Sequence, residues 1–111
     1  MLGKIDMPQN NNEVAEKEFD ETMSDILHYY TDIKQLNDGR TIGTMKLMFH
    51  WAIHIGIDLI GYSDRYCFTT YEIAKKAFDE WNGEGEPNYW HRHPTTGRRR
   101  EPSTGKEWID F

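Results

Sequence analysis

The spacing of the hydrophobic positions changes along this chain, and each spacing predicts a different element. Over residues 13–38 apolar residues recur three and four apart, which predicts one amphipathic helix. Its apolar stripe consists of Ala15, Phe19, Met23, Ile26, Leu27, Tyr30, Ile33 and Leu36. Asn37-Asp38-Gly39 supplies a helix stop. We expect a long helix here, preceded by a flexible polar leader over residues 1–12.

Between residues 44 and 57 the period falls to two. The apolar residues at odd positions are Met45, Leu47, Phe49, Trp51, Ile53, Ile55 and Ile57. This alternation predicts one half-buried strand, although apolar residues at both parities leave a helix as the alternative. Residues 62–68 predict a second strand that pairs with the first in an antiparallel hairpin.

A short helix and an irregular segment complete the pattern. Thr69-Thr70-Tyr71-Glu72 fits a capping box at a helix start, and the helix it opens ends at Asn82-Gly83. The remaining sequence is rich in Gly and Pro. We expect one short strand at Tyr89–His93, added to the sheet edge, and a polar tail over residues 101–111.

Together these elements predict an α+β fold with the small domain in residues 39–100. It would combine the long acidic N-terminal helix, the antiparallel β-hairpin, the short helix packed on the sheet, and a C-terminal aromatic and basic edge strand. The expected core consists of Leu47, Phe49, Trp51, Ile53, Ile55, Tyr66, Phe68, Ile73, Ala77, Phe78 and Trp81, joined by Phe19, Ile26 and Tyr30.

Composition limits where and how such a chain works. With 111 residues and 37% hydrophobic content there is room for one modest core. No apolar run approaches the roughly 20 residues that cross a bilayer, and the N-terminus lacks the apolar stretch of a signal peptide. The lone Cys67 cannot form an internal disulfide, which fits a reducing compartment. We therefore expect a cytoplasmic protein without a membrane partner.

The net charge of -6 is unevenly distributed, because residues 1–38 hold nine acids and only three lysines. The predicted first helix could present carboxylates to a basic groove of a partner protein, at Glu13, Glu16, Asp20 and Glu21. A solvated helix face is the simpler interpretation of the same charges. The apolar stripe of this helix is also compatible with a homodimer.

The basic and aromatic residues near the C-terminus form a second candidate contact surface, made of Tyr89, Trp90, Arg92, Arg98, Arg99 and Arg100. Arginines neutralise phosphates and aromatic rings stack on unpaired bases, so this segment also allows nucleic-acid binding. The acidic net charge argues against that function. In the purely structural alternative, Trp90 covers the sheet edge and the arginines pair with the acidic helix.

Histidines form a third candidate set, consisting of His50, His54, His91 and His93, with Cys67 on a nearby strand. Imidazoles on one sheet surface could hold zinc, nickel or copper. No Cys-x2-Cys or His-Glu-x2-His spacing accompanies them, so surface or stacking histidines are favoured and no metal or other cofactor is expected. No spacing joins a nucleophile to a base, and we expect no enzymatic activity.

Several segments between Lys46 and Arg100 carry a resemblance to known sequences. They are Phe49-His50-Trp51-Ala52, Gly56-Ile57, Gly61-Tyr62-Ser63-Asp64-Arg65-Tyr66-Cys67-Phe68, Ala77-Phe78-Asp79-Glu80-Trp81-Asn82-Gly83-Glu84-Gly85-Glu86-Pro87 and Trp90-His91-Arg92-His93-Pro94-Thr95-Thr96-Gly97-Arg98-Arg99-Arg100. In these the chain resembles a group of small bacteriophage and prophage proteins without an assigned activity. The resemblance implies a viral genome and a small accessory role, and it brings no catalytic residues.

From these observations we expect a phage-type accessory protein in the host cytoplasm. It would bind and inhibit a host protein, or an antiviral complex that handles nucleic acid, by stoichiometric interaction. The alternative is a small nucleic-acid-binding protein that uses Trp90 and the Arg98–Arg100 cluster.

Overall fold

A computed structural model of the chain describes residues 21–108. Within these residues, seven strands form one antiparallel sheet in which each strand lies beside its neighbours in sequence. The strands are β1 (Asp32–Gln35), β2 (Thr41–Lys46), β3 (Trp51–Ile55), β4 (Asp64–Phe68), β5 (Arg92–His93), β6 (Arg98–Arg100) and β7 (Glu107–Trp108). Helix α1 covers residues 21–27 of the described chain, and α2 (Tyr71–Glu80) follows β4.

The prediction of one helix over residues 13–38 is wrong. Helix α1 ends at residue 27, the chain turns at residues 28 and 29, and β1 follows. The amide of Thr31 donates to the Thr44 carbonyl at 2.8 Å, and Ile33 pairs with Gly43. Pairing with β2 satisfies backbone groups that a continued helix would have bonded internally, so a contact between distant residues overrides the helical period. Residues 13–20 lie outside the described part of the chain.

The single strand predicted over residues 44–57 is divided into β2 and β3 by a tight turn. The amide of Leu47 donates to the His50 carbonyl at 2.7 Å, which closes the hairpin. Met45 therefore pairs with Ala52, an odd position with an even one. Because paired residues share a face, even positions of β2 and odd positions of β3 point to the same side of the sheet. In the sequence, apolar residues occupy odd positions both before and after the turn. The alternation therefore gave no sign that one strand ends and another begins there.

The core lies between one face of the sheet and α2. Its buried residues are Leu36, Ile42, Ile53, Ile55, Tyr66, Phe68, Ala74, Ala77, Phe78, Trp81 and Trp90. The core predicted from β3, β4 and α2 is thus largely confirmed, with Trp51 and Ile73 partly buried against it. Phe49 was wrongly included, because the turn leaves its side chain 80% exposed.

Helix α2 is positioned at both ends by side-chain hydrogen bonds. The Thr70 hydroxyl caps its start by accepting from the Ile73 amide at 3.2 Å, one residue later than the predicted capping box. At its end, the Lys34 ammonium donates to the carbonyls of Phe78 and, at 3.0 Å, Trp81. A cation at the carbonyl end of a helix also complements the helix dipole. Strand β1 is thereby tied to α2 across the core.

The predicted C-terminal edge strand is also wrong, since β5 lies inside the sheet between β4 and β6. Cys67 pairs with Arg92, Arg92 with Arg99, and Arg99 with Trp108, so one row of residues crosses four strands. Strand β7 lies within the segment predicted to be a polar tail. The aromatic and basic segment is therefore part of the sheet.

The face of the sheet opposite α2 is partly covered by Tyr30, which follows α1. A Cβ atom placed on Gly43 would lie 2.7 Å from Tyr30 Cδ1, so only glycine lets this ring rest on β2. Tyr30 also reaches His54 on β3, where its hydroxyl lies 2.8 Å from Nδ1. None of the helical segments within residues 21–108 is long and apolar enough to cross a membrane.

Candidate functional site

Trp90, the proposed stacking residue, is completely buried. Its ring packs beside Tyr66, with 5.5 Å between ring centroids. The guanidinium carbons of Arg100 and Arg98 lie 4.4 Å and 5.1 Å from the Trp90 ring. A ring enclosed in this way is not available to a base or to a partner protein, and these cation–π contacts serve the fold.

Arg98 neutralises two carboxylates of its own domain. Its Nε and Nη2 atoms bind Glu107 at 2.8 and 2.9 Å, and its Nη1 and Nη2 atoms bind Glu86. These hydrogen bonds lower the pKa of both carboxyls below their ordinary range. Arg98 therefore joins the irregular segment after α2 to strand β7, and its charge is already paired.

Arg100 and Tyr89 also act within the fold. Arg100 Nε donates to the Trp90 carbonyl at 2.7 Å. The Tyr89 hydroxyl donates to Glu80 at 2.8 Å, while Lys76 lies 4.9 Å from the Tyr89 ring. Tyr89 has a positive φ of 71°, which is unusual for an aromatic residue and indicates that these contacts hold it in place.

The four histidines do not form one cluster. In the described part of the chain, no set of three or more His, Cys, Asp or Glu side chains is placed to hold a metal ion. The rings of His50 and His91 lie 5.0 Å apart, whereas His54 and His93 each have their own hydrogen-bond partners. Burial lowers the pKa of His91, with a further contribution from His50.

His54 is a buried neutral imidazole. Arg65 Nε donates to its Nε2 at 2.9 Å, and because a guanidinium cannot accept, Nε2 must lack a proton. The proton is thus on Nδ1 and is donated to the Tyr30 hydroxyl. Burial, together with the Arg65 charge, lowers the pKa of His54 to about 4. Tyr62 stacks on the imidazole with centroids 3.8 Å apart.

His93 fixes the turn between β5 and β6. Its Nε2 lies 2.7 Å from Asp64 Oδ1 and its Nδ1 lies 2.7 Å from the Thr96 hydroxyl. Thr95 also donates to Asp64, at 2.8 Å. The ring is stacked on Tyr66 at 4.3 Å. This carboxylate–imidazole–hydroxyl chain satisfies each polar group inside the fold.

The remaining cationic residues of interest lie on the sheet face opposite α2. Arg65 pairs with His54, and Arg92 pairs with both Cys67 and Arg99, so register places all three arginines on this side. We call Arg65, Arg92 and Arg99 the arginine face. Arg92 is exposed and the other two are half-buried. Sequence reasoning grouped Arg92 and Arg99 with Arg98 and Arg100, whereas strand alternation sends the two pairs to opposite sides.

Exposed apolar side chains mark the turn between β2 and β3. Met48 is 84% exposed and Phe49 80% exposed. We call Leu47–His50 the hairpin tip. A pocket of about 330 Å³ lies behind it, lined by the tip itself and by Lys46, Trp51, Thr69, Thr70, Tyr71 and Glu72. Sequence reasoning assigned Phe49 to the core. The alternating run over residues 44–57 is longer than a typical strand, and this length was the signal in the sequence that could have indicated a turn.

A second exposed apolar site lies at the other end of the sheet, in the loop between β3 and β4. Ile60 is 98% exposed and Leu59 42% exposed. The Asp58 carboxylate accepts from the amides of Ile60 and Gly61 at 2.8 and 2.9 Å, which gives this loop a defined shape.

Of the four acidic contact residues predicted on the first helix, one lies in the part of the chain that the structure describes. Glu21 is exposed at the start of the described part of α1. Glu13, Glu16 and Asp20 lie outside the described residues. The acidic contact surface therefore stays a prediction.

Comparisons of the chain with protein-family models, with curated proteins and with solved structures find no match.

Proposed function

We propose that the chain is a phage-type accessory protein that binds and inhibits a host protein by stoichiometric contact. The observation that carries this proposal is the hairpin tip, where Met48 and Phe49 are 84% and 80% exposed on a tightly closed turn. Large apolar side chains at adjacent exposed positions are typical of contact sites in proteins that bind other proteins.

The shape of the tip supports a protein partner. Phe49 offers a rigid aromatic anchor, and Met48 offers a flexible apolar side chain that adapts to an uneven surface. The pocket behind the tip, about 330 Å³ in volume, provides a recess for a side chain of the partner. Such reciprocal insertion of anchors concentrates binding energy in a few residues.

The alternative, nucleic-acid binding through Trp90 and the Arg98–Arg100 cluster, has lost its physical support. Trp90 is buried, and Arg98 and Arg100 are engaged by Glu86, Glu107 and the Trp90 carbonyl. The acidic side chains Glu13, Glu16, Asp20 and Glu21 remain a proposed second contact, which would steer association with a basic partner. The resemblance to small phage proteins supports a host target and a role without catalysis.

The hairpin tip is tested by capturing partners from lysate of the bacterial host and repeating the binding with the purified partner. We expect Met48→Ser/Phe49→Ser to weaken binding by at least about tenfold, since hot-spot truncations cost roughly 2 kcal/mol or more. Thermal stability should not fall, because both side chains are exposed.

The matched control is Ile60→Ser, which removes another large apolar side chain, 98% exposed, in the loop at the other end of the sheet. It should leave binding unchanged. Undiminished binding by the double variant, or an equal loss in Ile60→Ser, would contradict the proposal. Nuclease-treated lysate run in parallel separates a protein partner from one recovered only through nucleic acid.

A further inference from the structure

We propose that the arginine face, together with Tyr62, is a binding site for single-stranded nucleic acid. The geometry that points to it is a set of three arginines on neighbouring strands of one sheet face, beside an exposed aromatic ring. This inference goes beyond the proposed function and uses none of the residues of the hairpin tip.

The strand register places the charges in a row. Arg65 lies two residues before Cys67 on β4, and Arg92 pairs with Cys67 from β5. With about 3.3 Å per residue and about 4.8 Å between strands, the Cα atoms of Arg65 and Arg92 are about 8 Å apart. Arg99 continues the row one strand further, directly opposite Arg92. Such a row can follow consecutive phosphates of one strand.

The electrostatic surroundings agree with this placement. Arg65 and Arg92 both act to lower the pKa of the buried Cys67 thiol, against the larger raising effect of burial. Arg92 and Arg99 both contribute to the lowered pKa of His91. On strands β1 to β4, the residues that share this face with them are Ile33, Gln35, Thr41, Gly43, Met45, Ala52, His54 and Cys67, none of them acidic. A bound anion would offset the repulsion between like charges directly opposite on neighbouring strands.

Tyr62 supplies the surface for a base. One side of its ring stacks on His54 at 3.8 Å, and the Arg65 guanidinium carbon lies 5.1 Å from its centroid. Because Arg65 Nε bonds to the edge of the imidazole, both groups lie on the same side of the Tyr62 ring. The residue is 43% exposed, so part of its surface is accessible to a base. Single-strand binders combine basic grooves with exposed aromatic rings of this kind.

The chemistry favours nucleic acid over an acidic protein. Carboxylates of a protein would satisfy the guanidinium groups, but they would leave the flat ring of Tyr62 unused. A nucleotide provides both the phosphate and the planar base at neighbouring positions. Duplex DNA is less suitable, since its bases are already stacked on each other.

The test is a fluorescence anisotropy titration of the full chain against a labelled single-stranded oligonucleotide of about 15 nucleotides. The affinity of the wild type is measured at several salt concentrations. We expect Arg92→Gln to weaken binding and to reduce the slope of log affinity against log salt by about 0.7, the value for one phosphate contact on a single strand. Tyr62→Ala should weaken binding about tenfold.

The matched control is Lys76→Gln, which also removes one exposed positive charge but lies on α2, across the sheet from the arginine face. It should bind like the wild type. The proposal is overturned if the wild type does not bind at low salt, if Lys76→Gln loses as much affinity as Arg92→Gln, or if poly-glutamate competes as well as the oligonucleotide. No host partner is needed, so this result is independent of the hairpin-tip experiment.

Discussion

His54 shows how one side chain can make the stability of this fold depend on pH. The imidazole is buried with Arg65 on one nitrogen and Tyr30 on the other. Protonation of Nε2 would place two positive groups in contact and remove the acceptor for Arg65. The folded state therefore keeps His54 neutral well below the pH at which an exposed histidine gains its proton.

We expect the free energy of unfolding to decrease as the pH falls from about 6.5 to about 4, the ordinary pKa of histidine and the lowered pKa of His54. In this window His54 binds a proton in the unfolded chain but not in the folded chain. The free energy of unfolding therefore rises with pH, by up to about 1.4 kcal/mol per pH unit. Above this window His54 contributes no pH dependence.

Urea unfolding at several pH values measures this effect. His54→Gln should flatten the pH dependence, because an amide offers Arg65 an acceptor without titrating. His28→Gln, at an exposed position, is the matched control. His91 contributes in the same direction in both proteins, since its pKa is also lowered. An identical pH slope in His54→Gln and the wild type would disprove the assignment.

Trp90 should be a stability residue. We expect Trp90→Ala to lower the free energy of unfolding by about 3–5 kcal/mol, because a fully buried indole leaves a large cavity between Tyr66 and the arginines that cover it. Denaturant titration measures the loss, with the exposed Phe49→Ala as a control that should stay within about 0.5 kcal/mol. A change below about 1 kcal/mol in Trp90→Ala would contradict its burial.

At the scale of elements, the segment after α2 is held by ion pairs and hydrogen bonds from β6. Arg98 links Glu86 to Glu107, and Arg100 binds the Trp90 carbonyl. Tyr66 on β4 donates to Glu86 as well, at 3.1 Å. The arginine-rich strand thus connects a segment without regular structure to both the sheet centre and its last strand.

We expect Arg98→Gln to lower the free energy of unfolding by about 1 kcal/mol, more than an isolated surface ion pair, since two carboxylates lose their partner. Arg92→Gln, which removes the same charge from the neighbouring strand, should change stability by less than about 0.5 kcal/mol. Denaturant unfolding of the two variants provides the comparison. Equal effects would show that Arg98 has no special structural role.

The difference between Arg98→Gln and the wild type should also disappear in acid. The pKa values of Glu86 and Glu107 are lowered in the folded state, so their stabilisation is present above their ordinary pKa of 4.5. It is lost as the pH falls through the lower values of the folded protein. Repeating the unfolding series at pH 3 tests this sign.

Across the molecule, strand alternation divides the arginines between the two faces of the sheet. Arg98 and Arg100 turn toward Trp90 and stabilise the fold, whereas Arg65, Arg92 and Arg99 lie on the opposite face. The hairpin tip lies at an end of the sheet, on residues separate from the arginine face. The two proposed surfaces, the hairpin tip for a protein and the arginine face for nucleic acid, therefore share no residues.

Local sequence patterns were enough to predict β4, α2, a strand through Trp51–Ile55 and most of the core. Their signals are local: alternation in Trp51–Ile55 and Asp64–Phe68, and helical spacing from Tyr71 to Trp81. Each periodicity is created by the geometry of neighbouring residues, so it can be read without knowing what the element packs against.

The remaining features depend on contacts between residues that are far apart in the sequence. Residues 32–35 continue a helical spacing of apolar residues, but they form β1 because β2 provides backbone hydrogen-bond partners. Phe49 fits the alternation of a buried strand, but it lies in a turn and is exposed. Residue type predicts a contact surface for Trp90 and the arginines. Instead, Trp90 is buried, and the strand register directs Arg98 and Arg100 to one face of the sheet and Arg92 and Arg99 to the other. Which strand lies alongside, and which face another element covers, depends on residues distant in sequence, and a local pattern carries no information about them.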